Sequence, residues 1–142
     1  MTRWYMLDTN TVSYIVKGTS AAARGRLSAL KDTEAACISA ITEAELWYGL
    51  ERVGSGERRR NALRQFLRRM KVLSWDSDET EVYGAFRARQ EAIGLPLGPL
   101  DTLIAAHAIS AGAVLVSSDA AFAHAVGLPG LEVWATDLKS SS

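Results

Sequence analysis

The sequence predicts an α/β fold in which a parallel sheet is covered by helices on both faces. Two observations predict it. Short apolar runs rich in aromatic and β-branched residues alternate along the chain with longer stretches of helical periodicity. Runs such as Trp4-Tyr5-Met6-Leu7 and Val114-Leu115-Val116 are apolar throughout, as strands buried on both faces are. At 142 residues the chain is long enough for one domain with a single core, expected over residues 1–138, with 139–142 as a disordered tail.

In chain order, Trp4-Tyr5-Met6-Leu7 reads as the first strand. Asp8-Thr9-Asn10-Thr11 then leads into a helix carrying Val12, Tyr14, Ile15 and Val16, ended by Gly18. A second helix is expected over 21–30 and a strand over 35–39. Thr42 with Glu45 three positions on matches a capping box, opening a helix through Leu46, Trp47, Leu50 and Val53. After the Gly54-Ser55-Gly56 break, residues 57–71 place Leu63, Phe66, Leu67 and Met70 on one face and seven basic residues elsewhere. Val72-Leu73-Ser74-Trp75 suits a short strand, and Asp76 or Ser77 caps a helix reaching about Ile93. Gly98-Pro99 opens the next helix, with Leu100, Leu103, Ile104 and Ala108 as its apolar face and Gly112 as its stop. Val114-Leu115-Val116 is a buried strand, 120–125 a short helix, and Leu131-Glu132-Val133-Trp134 a last strand.

Composition narrows the setting. The formal net charge is zero, so no global field draws the chain to nucleic acid and any attraction is local. The lone Cys37 excludes an internal disulfide framework and reads as a small buried hydrophobe. No apolar run approaches the roughly 20 residues of a membrane helix, and no signal-peptide pattern opens the chain. A cytoplasmic, reducing setting is expected.

The candidate chemistry lies in four acids. Asp8 directly follows the first strand, Glu45 and Asp119 follow later strands by a few residues, and Asp101 stands in the first turn of a helix. Ligands of parallel sheets bind beyond the carboxyl ends of the strands, so these acids are placed to share one pocket. Each also has a purely structural reading. Asp8 and Asp119 suit caps, Glu45 the capping box, and Asp101 the positive end of a helix dipole. Crowding four carboxylates is costly unless a cation compensates. An all-oxygen set fits Mg²⁺, with Mn²⁺ as a substitute, and the lack of a Cys/His cluster disfavours zinc. Glu43, two residues before Glu45, is turned about 200° away and cannot share the site squarely.

The stretches Leu7-Asp8-Thr9-Asn10, Ile41-Thr42-Glu43-Ala44-Glu45-Leu46-Trp47-Tyr48-Gly49, Gly98-Pro99-Leu100-Asp101-Thr102-Leu103-Ile104-Ala105-Ala106-His107-Ala108 and Leu115-Val116-Ser117-Ser118-Asp119, with Phe122 and Trp134, together resemble a PIN domain. More narrowly the chain resembles the VapC toxins of bacterial toxin–antitoxin pairs. The resemblance runs from Trp4 to Trp134 in matching order and spacing. It implies a three-layer α/β/α domain and Mg²⁺-dependent cleavage of tRNA or ribosomal RNA. It also implies a homodimer and a VapB-type antitoxin partner that blocks the active site. The first three acids of the family correspond to Asp8, Glu45 and Asp101, and the hydroxyl beside the first acid to Thr9. One position departs: many relatives carry an acid where this chain has Ala121, which leaves the fourth carboxylate to Asp119 alone.

Beyond the acids, Thr9, Asn10 and Arg87 are candidates for positioning substrate. Arg60, Arg64 and Arg68, spaced four apart on one helical face, are candidates for RNA phosphates; a solvated helix face is the simpler reading. His107, about 240° around its helix from Asp101, is expected to be structural, and His124 to lie at the surface. Two alternatives stay open. Asp8-Thr9-Asn10 after a first strand resembles the haloacid-dehalogenase phosphatases, although Asn10 stands where they have an acid. Ala121 admits an inactive PIN-like module that binds RNA or protein.

Overall fold

The structure is a computed structural model that describes residues 1–54 and 56–138. The tail 139–142, expected to be disordered, lies outside the described residues. The elements run β1 (Arg3–Leu7), α1 (Thr9–Lys17), α2 (Ala21–Ser28), β2 (Glu34–Ser39), α3 (Ala40–Val53), α4 (Glu57–Arg68), β3 (Lys71–Leu73), α5 (Ser77–Ala92), α6 (Pro99–Ala111), β4 (Val114–Val116), a short 3-10 helix (Ala120–His124) and β5 (Leu131–Glu132).

The five strands form one sheet in the order β3-β2-β1-β4-β5, and every neighbouring pair is parallel. On the central strand, Tyr5 faces Ala36 and Val114, and Met6 faces Cys37 and Leu115. Side chains of a strand alternate between faces, and the two cores follow that rule. Tyr5, Leu7, Ile38, Val114 and Val116 pack with Val12 and Ile15 of α1, Ala23 of α2, Leu46 of α3 and Leu63 of α4. Met6, Cys37 and Leu115 pack on the opposite face with Phe86 of α5 and Ile104, Ala105 and Ala108 of α6. Helices therefore cover both faces, giving the expected three-layer α/β/α architecture. Each fully buried Leu, Ile or Phe in these cores stabilises the fold by about 1.5–3 kcal/mol. No described helix is long and apolar enough to cross a membrane.

Three local expectations need correction, each for a physical reason. The capping box at Thr42 and Glu45 does not form, because α3 begins earlier, at Ala40. Ser39, the last residue of β2, caps it by accepting the Ile41 N–H at 3.0 Å, which leaves the Glu45 carboxylate free for other work. Leu100 is not on the buried face of α6; it is 46% exposed. The face against the sheet is made by Ile104, Ala105, Ala106 and Ala108. The last strand has only two ladder residues, Leu131 and Glu132. Trp134 instead leaves the sheet edge and packs with Tyr5, ring centroids 5.5 Å apart. Where the chain must reverse after α1, Gly18 takes φ 73°, a left-handed conformation suited to glycine.

Candidate active site

The strand order reverses its direction of growth at β1: β2 and β3 lie on one side, β4 and β5 on the other. Crevices form beyond the carboxyl ends of strands at such a switch point, here between β1 and β4. Asp8 and Ser117 are the residues that leave those two strands.

Asp8 is buried and held from three sides. Its backbone N–H donates to the Val116 carbonyl at 3.0 Å. Its Oδ1 accepts the Thr11 N–H at 2.8 Å, capping α1, and its Oδ2 accepts the Ser117 hydroxyl at 2.5 Å. The cap reading of Asp8 is therefore correct, yet it engages one oxygen only. Burial still pushes its carboxyl above the ordinary carboxylate range, against the hydrogen bonds from Ser117 and Thr11 and with help from the charge of Asp119.

Asp119 stands two residues beyond Ser117, exposed, with its backbone N–H donating to Ser117 Oγ at 3.0 Å. Its Oδ1 caps the 3-10 helix through the Ala121 N–H at 2.9 Å. The hydroxyl of Ser117 thus joins the backbone of the fourth acid to the carboxylate of the first. Ser117 is a residue of this site that the sequence alone did not single out. Its position directly after a buried strand was legible, but the partnership required knowing that β4 pairs with β1.

Glu45 lies half-buried in α3, and its Oε1 accepts the Thr9 hydroxyl at 2.9 Å. Thr9, expected to position substrate, here holds the second acid beside the first. Asp101 is half-buried in the first turn of α6, behind Pro99 and the helix-starting Gly98. Burial, and then the charges of Asp119, Asp8 and Glu45 in that order, hold the Asp101 carboxyl above its ordinary range. Four acids from sequence positions 8 to 119 therefore act electrostatically on one locus. As they are turned, no three His, Cys, Asp or Glu side chains among the described residues stand close enough to grip one ion. Glu45 and Asp119 are each directed to local donors, Thr9 and Ala121. The donor set itself is oxygen only, the kind that suits a hard divalent cation.

The remaining candidates are placed as follows. Asn10 is exposed on the first turn of α1. Arg87, exposed on α5, pairs with Glu91 at 2.9 Å and donates to the Tyr83 hydroxyl at 3.1 Å. On α4, Arg60 is ion-paired with Glu51, while Arg64 pairs with Glu57, donates to Asn61 and lies over the Trp47 ring; Arg68 is exposed. His107 is buried among Ser39, Trp75 and Glu79 rather than beside the acids, and His124 is exposed. Burial pushes the Cys37 thiol up to about 12, so it is an inert core residue, as expected.

A parallel sheet with acids gathered at its switch point defines a class. The pattern described as PIN domain matches residues 5–128, and the chain belongs to that family. Its relatives within it are VapC ribonucleases. It is 37% identical over 115 residues to the tRNA(fMet)-specific endonuclease VapC of Salmonella typhimurium, covering 81% of this chain and 86% of that one. It is 34% identical to the protein of the same name from Shigella flexneri, covering 92% and 97%. Among solved structures it is similar to VapBC2 from Rickettsia felis bound to a DNA fragment from their promoter, with TM-score 0.85, 34% identity and 92% and 98% coverage. DNA-bound VapBC from Salmonella typhimurium superposes with TM-score 0.84, 36% identity and 94% and 99% coverage.

Proposed function

We propose that this chain is an endoribonuclease toxin that hydrolyses phosphodiester bonds of tRNA with a divalent cation, Mg²⁺ or Mn²⁺, and is restrained by a cognate VapB-type antitoxin. The observation that carries this reading is the convergence of the charges of Asp8, Glu45 and Asp119 on Asp101. Like charges brought together at an energetic cost, with no Lys or Arg among the causes acting on Asp101, are what a cation-dependent site requires. The tRNA substrate is supported by the relatives named for it, and the antitoxin by the VapBC complexes of similar fold. A homodimer is part of the same reading, as is a cytoplasmic location.

Asp8, Asp101, Glu45 and Asp119 would hold the cation. When bound, it supplies the acidity that makes water a nucleophile at neutral pH and the charge that offsets the reacting phosphate. The residues of the chain do the rest. Ser117 and the Thr11 N–H fix the Asp8 carboxylate, so its orientation is set before substrate arrives. Thr9 holds Glu45 at the rim of the same crevice, and Asn10 and Arg87 stand as candidates for contacts to the RNA. Arg68, exposed on α4 and in no ion pair among the described residues, is the member of the set best placed to meet a phosphate. Membership of the PIN family removes the ground for a phosphatase that uses Asp8 as nucleophile.

The test incubates purified protein with total tRNA and Mg²⁺ and maps new 5′ ends by sequencing. Discrete cuts are expected that vanish with chelator and in Asp8→Asn and Asp101→Asn, both remaining folded. Full cleavage by the double variant would overturn the assignment, and cleavage of no RNA despite cation binding would favour an inactive binding module.

A further inference from the structure

A buried histidine lies between two of the helices that carry the acids. His107 on α6 is 1% exposed, and its Nδ1 lies 2.7 Å from Ser39 Oγ at the start of α3. Ser39 is fully buried and already accepts the Ile41 N–H. The hydroxyl shares a hydrogen bond with the ring at Nδ1, and Nε2 is the nitrogen turned towards Glu79. That nitrogen lies 3.8 Å from Glu79 Oε1, the Ser74 backbone hydrogen-bonds the ring, and Trp75 closes over it edge-on at 5.3 Å. Burial pushes the ring's pKa below the ordinary imidazole value, against the pull of Glu79 and the Ser74 backbone.

The spacing gives this contact a consequence. Ser39 precedes Glu45 by six residues, and Asp101 precedes His107 by six. The two helices pack on each other. Ser39 meets His107 at one end of the shared stretch, and the charge of Glu45 acts on Asp101 at the other. The stretches are thus antiparallel sides of a frame about 9 Å long, at 1.5 Å rise per residue. A tilt of about 6° at the closed end moves the acids by about 1 Å at the open end, a displacement that matters to a catalytic constellation.

We propose that His107 is a positioning residue: its hydrogen bond to Ser39 locks α3 against α6 and so sets the separation of Glu45 and Asp101. This rests on the reading of the acid cluster as a cation site. His107 touches neither substrate nor cation; it acts through the helices, as an outer partner orients a ligand set.

The experiment measures Mn²⁺ affinity of the full chain by calorimetric titration, beside thermal melting and tRNA cleavage. His107→Phe keeps a planar ring without the hydrogen bond, and His107→Asn keeps a polar group where Nδ1 stands. His107→Phe should bind Mn²⁺ at least about tenfold more weakly, whereas His107→Asn should stay within about threefold of wild type. Ser39→Ala should match His107→Phe in Mn²⁺ affinity while melting lower, since it also loses the cap to Ile41, and the double variant should bind Mn²⁺ no more weakly than either, since both lose the bond between the helices. If His107→Phe does not fold, the Ser39→Ala and His107→Asn pair carries the same comparison. Wild-type Mn²⁺ affinity in the folded Phe and Ala variants overturns the proposal alone, as do additive losses in the double variant. A folded wild type that binds no Mn²⁺ overturns the cation reading, and this proposal with it.

Discussion

Two regions gather acids from distant parts of the chain and treat them in opposite ways. Beneath α2, Glu34 and Glu132 flank Arg26, whose guanidinium lies 3.9 and 3.7 Å from them and stacks at 5.3 Å over Tyr5 and 5.1 Å over Trp134. The Lys31 N–H, the Tyr5 hydroxyl and Arg26 together hold the Glu34 carboxyl below its usual range. At the switch point, burial and mutual repulsion hold Asp8 and Asp101 above theirs. The first cluster contains its own cation and is complete as a structural device. The second is all anion, and it costs stability unless something positive arrives. An acid's neighbours, rather than its type, separate scaffold from site.

Variants at the two clusters should break that comparison in different observables. The largest difference is catalytic: Asp8→Asn should lower RNA cleavage by about a thousandfold with no fall in melting temperature. Arg26→Met should spare cleavage at temperatures where the fold survives. A Mg²⁺ titration sharpens the contrast. At a hundred times its dissociation constant, Mg²⁺ should stabilise the wild type by about 2.7 kcal/mol, read as a rise in melting temperature that Asp101→Asn lacks. Arg26→Met should leave that rise intact while lowering stability by about 1–2 kcal/mol, as two stacked rings and two carboxylates lose their partner.

The smallest effect is the most diagnostic, because its sign differs between the clusters. A carboxyl raised in the folded state favours folding when protonated, and that contribution is lost as pH rises through its folded value. Asp101→Asn should therefore melt higher than wild type at pH 7 without divalent cation, with the gap closing below the ordinary carboxylate range. A lowered carboxyl contributes stability above its unfolded value and loses it as pH falls through the folded one. Glu34→Gln should accordingly melt lower at pH 7, and that deficit should fade in acid. Melting curves of both variants from pH 3 to 8 check the pair; the same sign in both would dissolve the distinction.

Much of this was readable in the chain because local rules carry it. Strand runs, Gly18 and Gly112 as helix stops, Pro99 as a helix start and the placement of Asp8 after β1 all rest on neighbouring residues and were found where expected. The errors arose where two local rules competed. Thr42 and Glu45 match a capping box, but Ser39 reached an N–H first, and that outcome is why Glu45 faces the acids instead of its own helix start. Arg60, Arg64 and Arg68 share a helical face, but only the fold shows that Glu51, Glu57 and Trp47 engage two of them.

Residue types and spacing by themselves determined the element order, the parallel α/β class and which acids end strands, because hydrophobic period and capping act within a few residues. The order β3-β2-β1-β4-β5, and with it the meeting of Asp8 with Ser117, Thr9 with Glu45 and Ser39 with His107, was decided only in three dimensions. Those partners lie 36 to 109 residues apart. Nothing in the intervening chain encodes their contact; it follows from burying both faces of one sheet at once.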